Sequence, residues 1–153
     1  MLKLSKKADY ALIAVKHLAT QQGLRACSAH EIAQEYGISG TLMAKVLQTL
    51  AKQGLVVAKH GASGGYQLAK APEQVSALEV ISAIEGPVLI TSCVSSHGRC
   101  DAMERCSVRE PLRRVNDGIL QLLGALKISQ LSEDAPEPVL VELGPDAVVA
   151  SQG

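Results

Sequence analysis

Three of the chain's four cysteines, Cys93, Cys100 and Cys106, fall within 14 residues at the spacing C-x6-C-x5-C. Thiolates are soft ligands that suit iron-sulfur clusters and zinc, and a loop of this length can wrap three of them around one centre. His97 lies between the first two and completes a Cys3His set for zinc, although the C-x2-C knuckle usual in such sites is missing. A switch that works through the thiols alone is a third possibility. The segment is too polar to be core, since Ser95, Ser96, Arg99, Asp101, Glu104 and Arg105 run through it, and its two arginines would offset the negative charge of a bound cluster. Cys27, far from the trio and just before a helix start, reads as a small core residue.

What positions these thiols follows from the rest of the chain. Its 153 residues allow one compact unit with an added element. Hydrophobic residues make up 47% but aromatics only 2%, so the core must be built from Leu, Ile, Val and Ala, which favours packed helices. The zero net charge hides an asymmetry. Residues 1–70 carry nine Lys or Arg against three acids, whereas residues 133–153 carry five acids and no base. A basic N-terminal half suits a polyanion. Neither a signal peptide nor an apolar run of about 20 residues is present, so a cytoplasmic protein with no membrane association is expected, and in that compartment the thiols stay reduced.

Ala8, Leu12, Val15 and Leu18 recur at helical spacing and predict a first helix from Ser5 to about Gln21. Ser28 followed by Glu31 forms a capping box that opens a short helix ending near Gly37. Ser39 or Gly40 caps the next helix, whose apolar side is Leu42, Val46, Leu47 and Leu50. This pair is a helix-turn-helix, whose second helix would lie in the major groove with Ser39, Thr41 and Lys45 off the apolar stripe. Residues 55–60, 61–65 and 66–68 then read as strand, glycine-rich turn and strand, a wing that brings Lys59, His60, Gly61 and Ser63 to DNA. Gly64 and Gly65 are expected at positive φ in its tip. The turn runs from strand to strand and lacks the Lys-Ser/Thr of a nucleotide-binding loop.

A second capping box, Ser76 with Glu79, opens a helix stopped by Gly86-Pro87. From Pro111 to about Leu131 a longer helix carries Leu112, Val115, Ile119, Leu122 and Leu126 at the 3, 4, 3, 4 spacing of a two-helix interface. A homodimer is the expected use of that stripe, since pairing gives a DNA reader its site symmetry. The expected fold is mainly α with a small β-wing. Residues 1–70 form a winged helix-turn-helix unit, 71–131 a cysteine loop and dimerisation helix, and 132–153 a flexible acidic tail.

The segment Leu4-Ser5-Lys6-Lys7-Ala8-Asp9-Tyr10-Ala11-Leu12, the wing Gly61-Ala62-Ser63-Gly64-Gly65-Tyr66-Gln67-Leu68 and the three-cysteine loop together resemble the Rrf2 family of bacterial regulators over roughly residues 1–131. The resemblance implies a dimeric winged helix-turn-helix protein that binds double-stranded operator DNA. Its cysteine loop would hold a 2Fe-2S or 4Fe-4S cluster, and it would control iron-sulfur assembly genes or a nitric oxide or redox response. Where the IscR-type branch places a His as fourth ligand, three positions beyond the third Cys, this chain has Arg109. The NsrR-type branch uses an Asp near the start of the first helix, supplied by the partner subunit, and Asp9 matches it. Asp9 also reads as an acid favoured near a helix N-terminus by the helix dipole, and His97 is the local rival ligand. His60 stands where the family often has Arg in the wing. A zinc-stabilised DNA-binding or scaffold protein is the alternative from another class. No paired carboxylates or nucleophile elbow suggest an enzyme.

Overall fold

The computed structural model describes residues 3–21, 24–94 and 100–131. Five helices and one two-stranded antiparallel sheet make up the regular structure of these residues. Helix α1 (Lys6–Thr20) starts where Ser5 Oγ accepts the Ala8 N–H, and it buries Ala8, Ala11, Ala14, Val15 and Leu18. The alanines let α1 lie deep among the other helices, where a larger side chain would push them apart.

Helix α2 (Ala29–Tyr36) and helix α3 (Gly40–Lys52) form the expected helix-turn-helix. Their turn is built from backbone hydrogen bonds. Gly37, left-handed at φ 64°, donates to Gln34, and Ile38 donates to the Ala33 carbonyl at 2.8 Å. These bonds form a Schellman motif that satisfies the last carbonyls of α2 and turns Ile38 back onto the core. Ser39 then caps α3 by accepting from Leu42 N–H. The capping box expected at Ser28 is only half formed. Ser28 Oγ accepts from Glu31 N–H, but the Glu31 carboxylate turns away to the Arg25 guanidinium, with one contact at 2.9 Å. A charged donor outcompetes a neutral backbone amide for that carboxylate.

Strands β1 (Val56–Lys59) and β2 (Gly65–Leu68) pair with Val56 opposite Leu68 and Lys59 opposite Gly65. A third piece of chain joins them, as Cys27 and Tyr66 exchange backbone hydrogen bonds at 3.0 and 2.7 Å. Cys27 is fully buried, as its sequence context suggests. The glycine geometry follows expectation at Gly65 but not at Gly64. Positive φ falls at Gly61 (109°) and Gly65 (150°), not at Gly64. Gly64 is constrained by space instead, since a Cβ there would lie 2.7 Å from the Lys59 carbonyl oxygen.

Helix α4 (Ala77–Glu85) carries a complete capping box, Ser76 and Glu79 each satisfying the other's backbone N–H. The last helix, α5, runs from Arg109 to Ala125 and is shorter than its apolar spacing predicts. Past it the chain bends back in an extended step. Ala77 N–H donates to Leu126 carbonyl at 2.8 Å, and Ile128 N–H donates to Val75 carbonyl at 2.9 Å. Ile128 is thereby buried in the same core as Val15, Leu47, Leu50, Val75 and Val80. Closing onto the α4 cap satisfies backbone groups and buries a β-branched side chain, which outweighs continuing a helix already weakened by Gly118 and Gly124. Leu126 therefore leaves the helical stripe to which its spacing assigned it.

Candidate functional site

The outward face of α3 and the wing lie on exposed surface. Ser39, Thr41 and Lys45 are exposed while Met43, Val46, Leu47 and Leu50 point inward. Ser39 Oγ is engaged as the cap, which leaves its hydroxyl hydrogen for an incoming acceptor. Gln48, which sequence reading passed over, shares this exposed face, one turn beyond Lys45 and two beyond Thr41. The signal was present in the i, i+4, i+7 spacing of three polar residues. In the wing Lys59, His60, Gly61 and Ser63 are all exposed. Lys59 closes β1, while His60 and Gly61 lie in the turn beyond it.

The wing is held to the helices at Gly65. A Cβ there would sit 2.4 Å from both the carbonyl carbon and oxygen of Cys27 and 2.7 Å from Ser28 N. Only glycine lets β2 pass so close to the start of α2, so this contact sets the wing against the helix-turn-helix. Burial pushes the Cys27 thiol above its ordinary pKa, as suits an inert structural cysteine.

The cysteine segment joins α4 to α5. Cys93 is half-buried in a short 3-10 turn at Ser92–Val94, and Thr91 Oγ1 lies 3.1 Å from its sulfur. Cys106 is half-buried three residues before α5, and Cys100 is exposed. All three are free thiols. Arg105 and Arg109 are exposed beside them. Among the described residues, no three His, Cys, Asp or Glu side chains come together as a group able to hold a metal ion. His97 and Arg99, like the acidic tail at 132–153, lie outside the described residues.

Asp9 is exposed in the first turn of α1, and its carboxylate meets no hydrogen-bond or ion-pair partner among the described residues. The start of α1 is tied to the end of α4. Ser5 N–H donates to Glu85 Oε1 at 2.6 Å, and hydrogen bonding from the Ser5 side chain, with this backbone bond second to it, holds the Glu85 carboxyl below its ordinary pKa. On α5 the apolar stripe divides. Leu112 and Ile119 are half-buried, while Val115 and Leu122 are 53% and 45% exposed. The residue of α5 that is buried within the protomer is polar, Asn116, which sequence reading also missed. Its only sequence signal was an amide next to an apolar interface position.

An exposed, cap-defined α3, a tightly braced wing and an appended helix define a winged helix-turn-helix DNA-binding protein. The chain belongs to the Rrf2 family, described as iron-dependent transcriptional regulators, which it matches over residues 4–134. A helix-turn-helix transcriptional regulator of Synechocystis is 39% identical over 84 residues, spanning 55% of this chain and 57% of that protein. The regulator IscR of Xenorhabdus nematophila is 28% identical over 85% of this chain and 79% of its own length. Among solved structures, CymR, the global cysteine regulator of B. subtilis, superposes with a TM-score of 0.71 at 29% identity, covering 84% of this chain and 95% of that one. IscR of T. potens gives 0.68 at 26% identity, covering 84% of each chain. These relatives are regulators of transcription and not enzymes. No helix among the described residues is long and apolar enough to cross a membrane.

Proposed function

We propose that this regulator senses through an iron-sulfur cluster held on Cys93, Cys100 and Cys106, and that it reads operator DNA as a homodimer. The observation that carries the reading is the placement of all three thiols on the segment joining the DNA-reading unit to α5. Three soft donors, two half-buried and one exposed, fit a 2Fe-2S or 4Fe-4S cluster that keeps solvent access on one side. The cluster would supply a centre reactive to oxidants and nitric oxide. Asp9, exposed and without a partner among the described residues, is the proposed fourth ligand from the partner subunit, and His97 is its rival.

On the DNA side, Lys45 and Lys59 contact phosphates, Ser39, Thr41 and Gln48 approach base edges and backbone from α3, and His60, Gly61 and Ser63 follow the minor groove. Val115 and Leu122 pair with the same residues of a second chain, which sets the spacing of the two α3 helices. The controlled genes are those of iron-sulfur assembly or of a nitric oxide or redox response. Cluster occupancy shifts the population of protomer arrangements and so the operator affinity.

One observation favours a second reading. The neighbour CymR is described as a global cysteine regulator. In that reading the thiols act without a cluster, or bind zinc. Fluorescence anisotropy with the chain's own promoter fragment, comparing anaerobically purified and chelator-treated protein, tests the proposal. A difference in affinity of about tenfold or more supports it, and equal affinity contradicts it.

A further inference from the structure

The chain leaving α4 reaches Cys93 through residues 86–92, and a buried polar contact joins this stretch to α5. Asn116, 2% exposed, accepts the Ile90 N–H on its Oδ1 at 3.0 Å. One residue further on, Thr91 Oγ1 meets the Cys93 sulfur at 3.1 Å. A buried amide is costly unless its hydrogen bonds are made, and a leucine of similar size would bury apolar surface in the same place. What the amide adds is register. It gives a partner to a backbone N–H in a stretch with no regular structure before the 3-10 turn, and so fixes where that stretch lies along the helix.

The position on α5 matters as much as the bond. Val115, the neighbouring residue, lies about 100° around the helix and is exposed on the apolar stripe. Ile90 lies three residues from Cys93, a reach of at most about 10 Å. Anything that moves Cys93 therefore pulls on Ile90, and through Asn116 on the helix that carries Val115.

We propose that Asn116 is a positioning residue that fixes Cys93 against α5 and passes the bonding state of that thiol to the exposed face of the helix. The transmission rests on the reading that Cys93 belongs to the sensor, while the positioning stands on the geometry alone.

Alkylation of the metal-free full-length chain by iodoacetamide, mapped by mass spectrometry, gives the first test, with exposed Cys100 as internal reference. Asn116→Leu raises the Cys93-to-Cys100 rate ratio about fivefold, the effect of one ordinary hydrogen bond, and Asn116→Asp, which keeps the acceptor, restores it. Equal ratios in all three proteins overturn the positioning role. Hydrogen exchange on the wild-type chain needs no variant to fold. There the Ile90 amide is protected, and exchange at the free-chain rate overturns the proposal equally. For the transmission, the affinity difference between loaded and chelated protein for the promoter fragment shrinks in Asn116→Leu, and an undiminished difference contradicts it. A colourless wild-type preparation counts against the iron-sulfur reading alone, and the alkylation and exchange results still decide the positioning role.

Discussion

Ser5 donates its backbone N–H to the Glu85 carboxylate at 2.6 Å, joining the cap of the first helix to the last residue of α4 across 80 positions of sequence. Asp9 stands one turn above this joint, and the stretch to Cys93 leaves from just below it. The proposed partner-subunit ligand and the cysteine segment are thus both referred to one hydrogen bond.

Because hydrogen bonding from the Ser5 side chain, and then from this N–H, lowers the Glu85 pKa, the contribution of the joint to stability is present above the unfolded-state value near 4.5 and is lost as pH falls through the lower folded value. Glu85→Gln should therefore flatten the acid limb of stability below the ordinary carboxylate range, with an effect near neutral pH of no more than about 1 kcal/mol for so exposed a group. Thermal melts along that limb check it. Glu110, held at about 2 chiefly by the Arg113 guanidinium, titrates lower still, so removing Arg113 should shift its titration upward in an NMR series.

Gly65→Ala forces a Cβ into the Cys27 backbone, where no flexible side chain can yield. The wing must separate from α2, costing roughly 1–3 kcal/mol in urea unfolding, as overpacking generally does, and weakening promoter binding. Gly118→Ala is the control. A Cβ there meets nothing within 4 Å, and the change should stabilise α5 by up to about 1 kcal/mol.

Lys45→Ala and Lys59→Ala should each weaken promoter binding similarly on specific and unrelated DNA, and each lower the slope of log affinity against log salt by about 1. Gln48→Ala should instead narrow the gap between specific and unrelated sequences, as loss of a base-edge contact worth about 1–3 kcal/mol does. A salt titration of anisotropy on both DNAs separates the two behaviours.

Val115→Lys with Leu122→Lys places two charges on the exposed stripe of α5 without touching Asn116. Sedimentation should move from dimer to monomer at micromolar concentration while the melting of the protomer core is preserved. A dimer that persists would place the interface elsewhere.

Much of this fold could be read from local chemistry. Capping serines, turn glycines and helical spacing are short-range signals, and they located α1 to α4 and the wing to within a residue or two. What sequence reading missed depends on residues distant in the chain. Nothing near Gly124 announces that Ile128 will return to pair with Val75, and the Arg25 guanidinium that diverts Glu31 from its cap lies outside the capping pattern. The same holds for the site. Cysteine spacing marked the thiols, and exposed polar spacing marked Thr41 and Lys45, but Asn116 acquires meaning only when Ile90 is seen beside it. Gly65 takes the positive φ expected of it, but the closeness of Gly64 to Lys59 and of Gly65 to Cys27 is a contact that no torsional preference encodes.

The central claim is tested most directly by iron and acid-labile sulfide analysis of anaerobically purified wild-type chain, with visible spectra of it and of the Cys93→Ala, Cys100→Ala and Cys106→Ala variants. The account predicts a coloured wild type with iron and sulfide in equal amounts, and colour lost in each variant. A colourless wild type with stoichiometric zinc, or with free thiols and no metal, would contradict it.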